Sequence, residues 1–303
     1  MPEWDADIAI DEELVRTLLA EQFPELELRA VRLVGEGFDN AVWLIDEEWA
    51  FRFPRRAIAV SLVARELALL TRVAPLLPVA VPVPAFVGTQ SARFPRPFFG
   101  HRLLPGSELA DADLADTDRV RLGVDVGRFL RTLHSPSTRE LVDAGHALPV
   151  DPNRRADMPF RVRMTRERLD ALPGLEPASR SAAERILSAA EGLAPSPARV
   201  LCHGDLHVRH VLVDRGELTG VIDWGDVCVG DPSIDLLFVW SVLPPAARVA
   251  FFEEYGEVDD ARRLRAQVLA IMLSTVLALY AQDQGLASLE REARAGLERA
   301  LVH

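Results

Sequence analysis

The chain has 303 residues, enough for one large domain or two smaller ones. Its formal net charge of −12 argues against nucleic acid as a partner, because a phosphate backbone attracts a basic surface. The sequence contains no lysine, which excludes the phosphate loop of Walker-type nucleotide-binding proteins. Any cation that binds phosphate here must therefore be an arginine.

Three features bear on where the protein works. The cysteines, Cys202 and Cys228, form no C-x-x-C pair, which favours a reducing compartment. The N-terminal residues are acidic and lack the apolar core of a signal peptide. The uncharged run 266–282 is short for a membrane span and contains Gln, Ser and Thr. We therefore expect a cytoplasmic monomer without a membrane partner, in which this run is a buried helix.

Residues 1–105 combine strand patterns with two helices. Asp11 is placed to cap the first helix. Gly35 and Gly37 lie in a turn between two strands, and Arg52 lies on the opposite face of its strand from its aromatic neighbours. Glu66 lies in the middle of an otherwise apolar helix. The predicted strands are 28–34, 41–45, 49–53, 85–89 and 98–104, and the predicted helices are 12–23 and 59–73.

From residue 106 onward the pattern is mainly helical, so we place a domain boundary there and expect domains of 1–105 and 106–303. The segment 135–152 is predicted to be a loop. A further helix is expected after the Gly-Asp-Pro sequence at 230–232. The other predicted helices are 117–133, 158–171, 179–192, 245–255, 260–282 and 288–301.

The stretch 200–232 interrupts the helices with three short apolar runs. The last two runs, 211–213 and 218–222, with the polar turn between them, predict a β-hairpin. Asp205 lies on a loop before this hairpin, and Asp223 follows it directly. Two acids on a rigid support suit chemistry that positions a hydroxyl group and a metal ion.

The spacing within this stretch matches a kinase signature. His-Gly-Asp at 203–205 stands where protein kinases have H-R-D, and Asp-Trp-Gly at 223–225 stands where they have D-F-G. His210 occupies the place of the usual Asn, five residues after Asp205. With its H-G-D-L-H, I-D-W and G-D-P sequences, the stretch resembles the aminoglycoside phosphotransferase family, the antibiotic kinases with a protein-kinase-like fold.

This resemblance implies an α+β fold of two lobes, a small N-lobe with an antiparallel sheet and a larger helical C-lobe. ATP or GTP would bind between the lobes with Mg²⁺. Asp205 would orient the acceptor hydroxyl and accept its proton, while Asp223 and His210 would bind Mg²⁺. A neutral imidazole is a poorer Mg²⁺ ligand than oxygen donors, although some antibiotic kinases have His at this place.

The resemblance also assigns nucleotide-binding roles. Gly35 and Gly37 would cover the phosphates, and Arg52, paired with Glu66, would hold them. Five apolar or hinge residues would surround the base: Arg102, Leu103, Leu104, Leu212 and Ile222.

The acceptor pocket of aminoglycoside kinases uses acids from C-terminal helices to bind the drug's ammonium groups. The candidates here are Glu253, Glu254 and Asp283, each of which can equally be an ordinary exposed charge. We therefore expect a kinase with a small-molecule hydroxyl acceptor, and first of all an aminoglycoside.

Several alternatives remain open. A macrolide kinase would share the catalytic residues, often uses GTP and needs an apolar pocket. A kinase for a sugar, amino alcohol or amino acid, or a pseudo-kinase, would share the fold. A zinc site of His203, His207 and His210 with Asp205 would indicate a hydrolase instead, and an acidic hairpin can also be purely structural.

Overall fold

The computed structural model describes residues 7–36, 40–143, 148–197 and 199–302. The chain forms two compact units. The first unit comprises Met1–Pro75 and Ala80–Leu104, and the second comprises Leu76–Val79 and Pro105–His303.

The first unit contains a five-stranded sheet with the order β1-β2-β3-β5-β4. All neighbouring strands are antiparallel, which confirms the predicted sheet type. Asp11 caps the first helix by accepting a hydrogen bond from the Leu14 N–H at 2.9 Å. The elements of this unit are α1 (Glu12–Gln22), β1 (Val31–Glu36), β2 (Asn40–Ile45), β3 (Trp49–Pro54), α2 (Ala59–Val73), β4 (Pro84–Gly88) and β5 (Phe98–Arg102).

Aromatic side chains form the core of the first unit. Phe53 stacks on Phe98 with ring centroids 4.7 Å apart, and Phe51 lies next along β3 in the same cluster. Because side chains alternate along a strand, Arg52 faces the other side of the sheet, where α2 packs against β3. Burial of each phenylalanine contributes roughly 1.5–3 kcal/mol, so the strand that carries Arg52 is firmly held.

The second unit is mainly helical, with two small sheets. One sheet pairs β7 with β10, and the other has the order β6-β8-β9. The strands are β6 (Ser107–Glu108), β7 (Val200–Cys202), β8 (Val211–Asp214), β9 (Glu217–Val221) and β10 (Cys228–Gly230). The helices are α3 (Arg119–Leu133), α4 (Pro136–Asp143), α5 (Met158–Ala171), α6 (Pro177–Ala190), α7 (Ser233–Val242), α8 (Pro245–Tyr255), α9 (Asp260–Gln284) and α10 (Ala287–Ala300).

Two helices form the centre of the second unit. Every residue of α7 is buried, and α9 packs against α5, α6, α7 and α10. By length and composition α9 could cross a membrane, but 61% of its most apolar window is buried inside the fold. This burial is what a core helix requires.

Three local predictions were wrong. A helix, α4, lies within 135–152, where we expected a loop; Ser135 accepts a hydrogen bond from the Thr138 N–H at 3.2 Å and starts it. β6 and β10 were missed, because strands of two or three residues show no periodicity. β1 begins at Val31 rather than residue 28, since Leu28 has a left-handed φ of 52° that interrupts an extended strand.

Candidate active site

The loop that follows β7 carries the His-Gly-Asp sequence and is held in place by hydrogen bonds to Asp235 of α7. The buried Asp235 carboxylate accepts hydrogen bonds from the backbone N–H groups of His203 at 2.7 Å and Gly204 at 2.9 Å. Gly204 has a φ of +90°, and a Cβ at this position would lie 2.2 Å from the Asp226 carbonyl oxygen. Only glycine therefore allows the loop to pass this close to the neighbouring backbone.

Asp235 is itself fixed by His134, the residue that ends α3. The His134 Nε2 lies 3.1 Å from Asp235 Oδ2, and its Nδ1 lies 2.8 Å from the Tyr255 hydroxyl of α8. Burial raises the pKa of Asp235, but hydrogen bonds and the nearby His134 lower it further than burial raises it. The carboxylate is therefore ionised, and three helices anchor the loop through it.

His210 lies between the two acids of the motif. Its Nδ1 is 3.5 Å from Asp205 Oδ2, and its Nε2 is 3.5 Å from Asp223 Oδ2. Asp223 has a left-handed backbone, with φ 63° and ψ 68°, which is a strained conformation for a residue with a side chain. The structure thus brings Asp205, His210 and Asp223 together in the second unit.

The tautomer of His210 suits a metal site. Its Nδ1 lies 2.8 Å from the Asp205 carbonyl oxygen, so Nδ1 carries the proton and donates it. Burial lowers the pKa of His210, as does the neighbouring His207, so the ring is neutral. The Nε2 lone pair then faces the Asp223 carboxylate with no proton between them, an arrangement that a cation would stabilise. His210 and Asp223 therefore fit a divalent metal ion.

His203 does not fit a metal. Its Nδ1 accepts a hydrogen bond from the Asp205 N–H at 3.2 Å, and its Nε2 donates to the Ile222 carbonyl at 3.0 Å. Burial lowers the pKa of His203, which keeps the ring neutral and both nitrogens engaged. The zinc site of three histidines considered above therefore loses one of its ligands.

Basic side chains from two segments lie beside the Asp205 carboxylate, whose side chain is 33% exposed. His207 Nε2 lies 3.5 Å from Oδ2, and Arg155 Nη2 lies 3.5 Å from Oδ1. Burial raises the pKa of Asp205, but its contacts with His207 and Arg155 lower it much more. Asp205 is therefore ionised and can accept a hydrogen bond from a hydroxyl group.

The phosphate-binding candidates of the first unit form a buried ion pair. Arg52 Nη1 lies 2.6 Å from Glu66 Oε1, and both side chains are buried. Gly35 pairs with Val42 beside an irregularity in β1. Gly37 lies outside the described residues, so its predicted role in the glycine turn stays a prediction.

The predicted hinge lies at the end of β5. The Arg102 guanidinium is 2.9 Å from Glu48 and lies over the Trp49 ring, 4.8 Å from its centroid. The Leu103 N–H donates to the Glu48 carbonyl at 2.7 Å, and Leu104 is the last residue of the first unit. Contacts of these residues with a base stay a prediction.

Leu212 and Ile222 belong to the hairpin of the second unit. Leu212 is buried and pairs with Gly220 of β9. The Ile222 N–H donates to the His210 carbonyl at 2.9 Å. Ile222 therefore links the hairpin to the His-Gly-Asp loop through both its N–H and its carbonyl group.

The three acids proposed for the acceptor pocket lie on α8 and α9. Glu254 forms an ion pair with Arg128 of α3 at 2.8 Å. Glu253 is exposed on α8. Asp283, near the end of α9, is exposed and accepts a hydrogen bond from Gln284. Their role as acceptor-binding residues stays a prediction.

A family model described as a phosphotransferase enzyme family matches residues 30–268. The chain belongs to this family. The match spans both units and includes Asp205, His210 and Asp223, which confirms the resemblance found in the motifs.

Curated relatives of this phosphotransferase chain are similar over part of their length. A viomycin phosphotransferase of Streptomyces vinaceus is 28% identical over 188 residues, which cover 60% of this chain and 63% of that protein. An aminoglycoside 3'-phosphotransferase of Escherichia coli is 36% identical over 64 residues, 20% of this chain and 24% of that protein. The chain spans less than two-thirds of the length of these relatives.

Solved structures are similar over nearly the whole chain. The GDP complex of aminoglycoside 2'-phosphotransferase-IIIa has a TM-score of 0.71 and 23% identity, covering 96% of this chain and 99% of that chain. A macrolide 2'-phosphotransferase from Brachybacterium faecium has a TM-score of 0.61 and 26% identity, covering 94% and 98%. These likenesses confirm the predicted fold.

Three residues of this phosphotransferase contact the motif but were not predicted from its sequence. Asp235 lies in the first turn of α7, where an acid is common, so its sequence position does not indicate its contact with the loop. Asp226 was not predicted as a site residue, although its position three residues after the metal-binding candidate Asp223 was a usable signal. Arg155 had no signal, because it is one of 34 arginines and lies 50 residues before Asp205.

Proposed function

We propose that the chain is a phosphotransferase that moves the γ-phosphoryl group of ATP or GTP to a hydroxyl of an aminoglycoside antibiotic. The observation that carries the proposal is the row of Asp205, His210 and Asp223, with an ionised carboxylate at one end and a metal-binding pair at the other. Phosphoryl transfer needs little more than positioning and charge neutralisation, and these residues supply both.

Asp205 acts on the acceptor. Its ionised carboxylate is partly exposed, so it can accept a hydrogen bond from the attacking hydroxyl. It would take up the proton as the new P–O bond forms and the bond from the γ-phosphorus to the bridging oxygen breaks, which releases ADP or GDP. The backbone N–H groups fixed by Asp235 keep the loop from moving away during this step. The residue is thus oriented before the acceptor arrives.

His210 and Asp223 would hold Mg²⁺, which neutralises phosphate charge when it is bound. The carboxylate oxygens of Asp223 are preferred ligands, and the Nε2 lone pair of His210 is a weaker neighbour. In the first unit, Arg52 is proposed to hold the phosphates, since an arginine keeps its charge at every relevant pH. Glu66 fixes the direction of its guanidinium through the 2.6 Å contact.

The aminoglycoside is favoured by similarity and by charge. Relatives and structural neighbours include aminoglycoside phosphotransferases, and a net charge of −12 attracts a polycationic acceptor. A macrolide is the second candidate. It is favoured by the macrolide 2'-phosphotransferase of Brachybacterium faecium, which shares 26% identity over 94% of this chain.

The test is a panel of phosphoryl-transfer assays with ATP or GTP, Mg²⁺ and one acceptor at a time. The acceptors are aminoglycosides, macrolides, viomycin and simple amino alcohols. We expect Mg²⁺-dependent transfer to an aminoglycoside, which is lost when the metal is chelated. If only a macrolide were phosphorylated, the acceptor would be a macrolide rather than an aminoglycoside. If neither nucleotide supported transfer to any of these acceptors, the result would count against the proposed function.

A further inference from the structure

The segment 148–157 is fastened to β10 by its backbone. The Val229 N–H donates to the Pro149 carbonyl, and the Asp151 N–H donates to the Val229 carbonyl, each at 2.9 Å. The Asp151 carboxylate then accepts hydrogen bonds from the N–H groups of Arg155 at 2.7 Å and Ala156 at 2.8 Å. The backbone position of Arg155 is therefore fixed by its own turn.

A second guanidinium holds this turn from inside. Arg161, a buried residue of α5, donates from Nε to the Arg154 carbonyl at 3.0 Å and from Nη2 to the Asn153 carbonyl. A buried charge is costly unless it is hydrogen-bonded, so this arrangement only forms when the turn is in place. The turn is thus held in a defined conformation by hydrogen bonds to the rest of the fold.

The turn delivers the Arg155 side chain to two carboxylates. Its Nη2 lies 2.5 Å from Asp226 Oδ2 and 3.5 Å from Asp205 Oδ1, and its side chain is only 14% exposed. Its Nη1 is buried and has no hydrogen-bond partner within the part of the chain that the structure describes. The guanidinium is therefore committed to the two acids.

Contacts from different segments hold the two oxygens of Asp205. Oδ2 lies 3.5 Å from His207 Nε2 and from His210 Nδ1, both in the catalytic loop. Oδ1 lies near Arg155, which comes from a distant segment. Without Arg155, only the two histidine contacts at Oδ2 oppose rotation of the carboxylate about the Cβ–Cγ bond, and Oδ1 loses the ion pair that holds it.

We propose that Arg155, anchored by Asp226, is a positioning residue that fixes the Asp205 carboxylate in the orientation that receives the acceptor hydroxyl. The inference rests on the proposed function and concerns how the same site is organised. An arginine suits this task because its planar group can bridge two carboxylates and keeps its proton. In this structure a single nitrogen, Nη2, contacts both acids, and the rigid guanidinium holds it in place. A lysine could also offer one nitrogen to both acids, but on a flexible stem that does not fix its position.

The test compares Arg155→Gln with Arg154→Gln, using the full chain and the acceptor found in the panel. Arg154 is the neighbouring residue, but its side chain is 60% exposed and pairs with Asp157. Because a small misplacement of a reacting group can cost about 100-fold, we expect Arg155→Gln to lower kcat by roughly 10- to 100-fold. The KM for the nucleotide should not change, and Arg154→Gln should behave like the wild type.

A double-mutant cycle separates positioning from a general structural effect. If Arg155 acts through Asp205, Arg155→Gln should change kcat less than about twofold in an Asp205→Ala background. An equal loss in both backgrounds would overturn the proposal, because a structural effect does not depend on Asp205. Arg155→Lys should restore only part of kcat, and full restoration would also overturn the bridging role.

A second variant covers the case in which Arg155→Gln does not fold. Asp226→Asn keeps Arg155 but weakens its anchor, so it should lower kcat in the same direction without changing nucleotide binding. If both variants kept the activity of the wild type, the inference would be refuted, while the proposed function would remain intact. An inactive wild-type chain would instead count against the proposed function itself.

Discussion

At the scale of the residue, burial determines the protonation state of His101. It is 7% exposed, and its Nδ1 donates to the Arg102 carbonyl at 2.9 Å. Burial lowers its pKa to about 4, with the charge of Arg52 adding a smaller effect in the same direction. The hydrogen bond to Arg102 opposes this shift without reversing it. The folded protein therefore holds His101 neutral at neutral pH.

This shift predicts a loss of stability in acid. The unfolded chain protonates His101 near its ordinary pKa of 6.5, before the folded chain does, so the unfolded state gains stability as the pH falls from 6.5 towards 4. Above pH 6.5 both states are neutral at this residue and its contribution to the pH dependence vanishes. The full effect on the free energy of unfolding is roughly 3 kcal/mol.

The measurement is urea unfolding of the wild type and His101→Gln at pH 7 and pH 4.5. The variant lacks the titrating group, so its free energy of unfolding should fall less between the two pH values. Equal falls in both proteins would mean that His101 does not titrate on unfolding in this range.

The residues of the motif could be predicted from the sequence because they are close together along the chain. Asp205, His210 and Asp223 lie within 19 residues, and their spacing carries the signal. Arg155 could not be predicted, since its contact with Asp205 depends on the path of a distant turn. The pairing of Arg52 with Glu66 was implied by the resemblance to kinases, and the structure contains this ion pair.

At the scale of the element, the conformation of the His-Gly-Asp loop depends on Gly204. An added Cβ would meet the Asp226 carbonyl oxygen at 2.2 Å, in addition to the strain of a φ of +90°. Gly174 provides a matched control, because it has a φ of +71° but nothing within 4 Å of an added Cβ. The two glycines thus separate backbone strain from a collision.

We predict that Gly174→Ala lowers the free energy of unfolding by about 1–2 kcal/mol, the cost of a left-handed residue with a side chain, and leaves turnover unchanged. Gly204→Ala should lower it further and reduce kcat by about 100-fold, because the collision displaces Asp205. Thermal unfolding and steady-state kinetics of the two variants test this. Equal effects on stability and full activity in both would contradict it.

Elements with a clear period were predicted well, and short ones were not. The bounds of α2, α5 and α8 agree with the sequence prediction, since each has an apolar face or a proline at its start. β6 and β10 are set by their pairing partners rather than by their own residues. Their existence therefore depends on tertiary contacts that a local pattern does not contain.

At the scale of the whole molecule, the family match and the antiparallel sheet establish a kinase-like phosphotransferase fold. The sequence predicted this fold because its motif occurs in order with a strand-rich first part and a helical second part. It did not determine the acceptor, because the candidate acids lie on separate helices and have no motif of their own. Glu254, one of the proposed acceptor acids, is already paired with Arg128.

The most direct measurement compares the wild type with Asp205→Ala for nucleotide binding and for phosphoryl transfer. The thermal shift produced by ATP or GTP with Mg²⁺ measures nucleotide binding, and it should be nearly the same in both proteins. Turnover should fall by about 10²- to 10⁴-fold, the usual contribution of a positioned base. Full activity of Asp205→Ala would contradict the central claim that this carboxylate receives the proton of the acceptor hydroxyl.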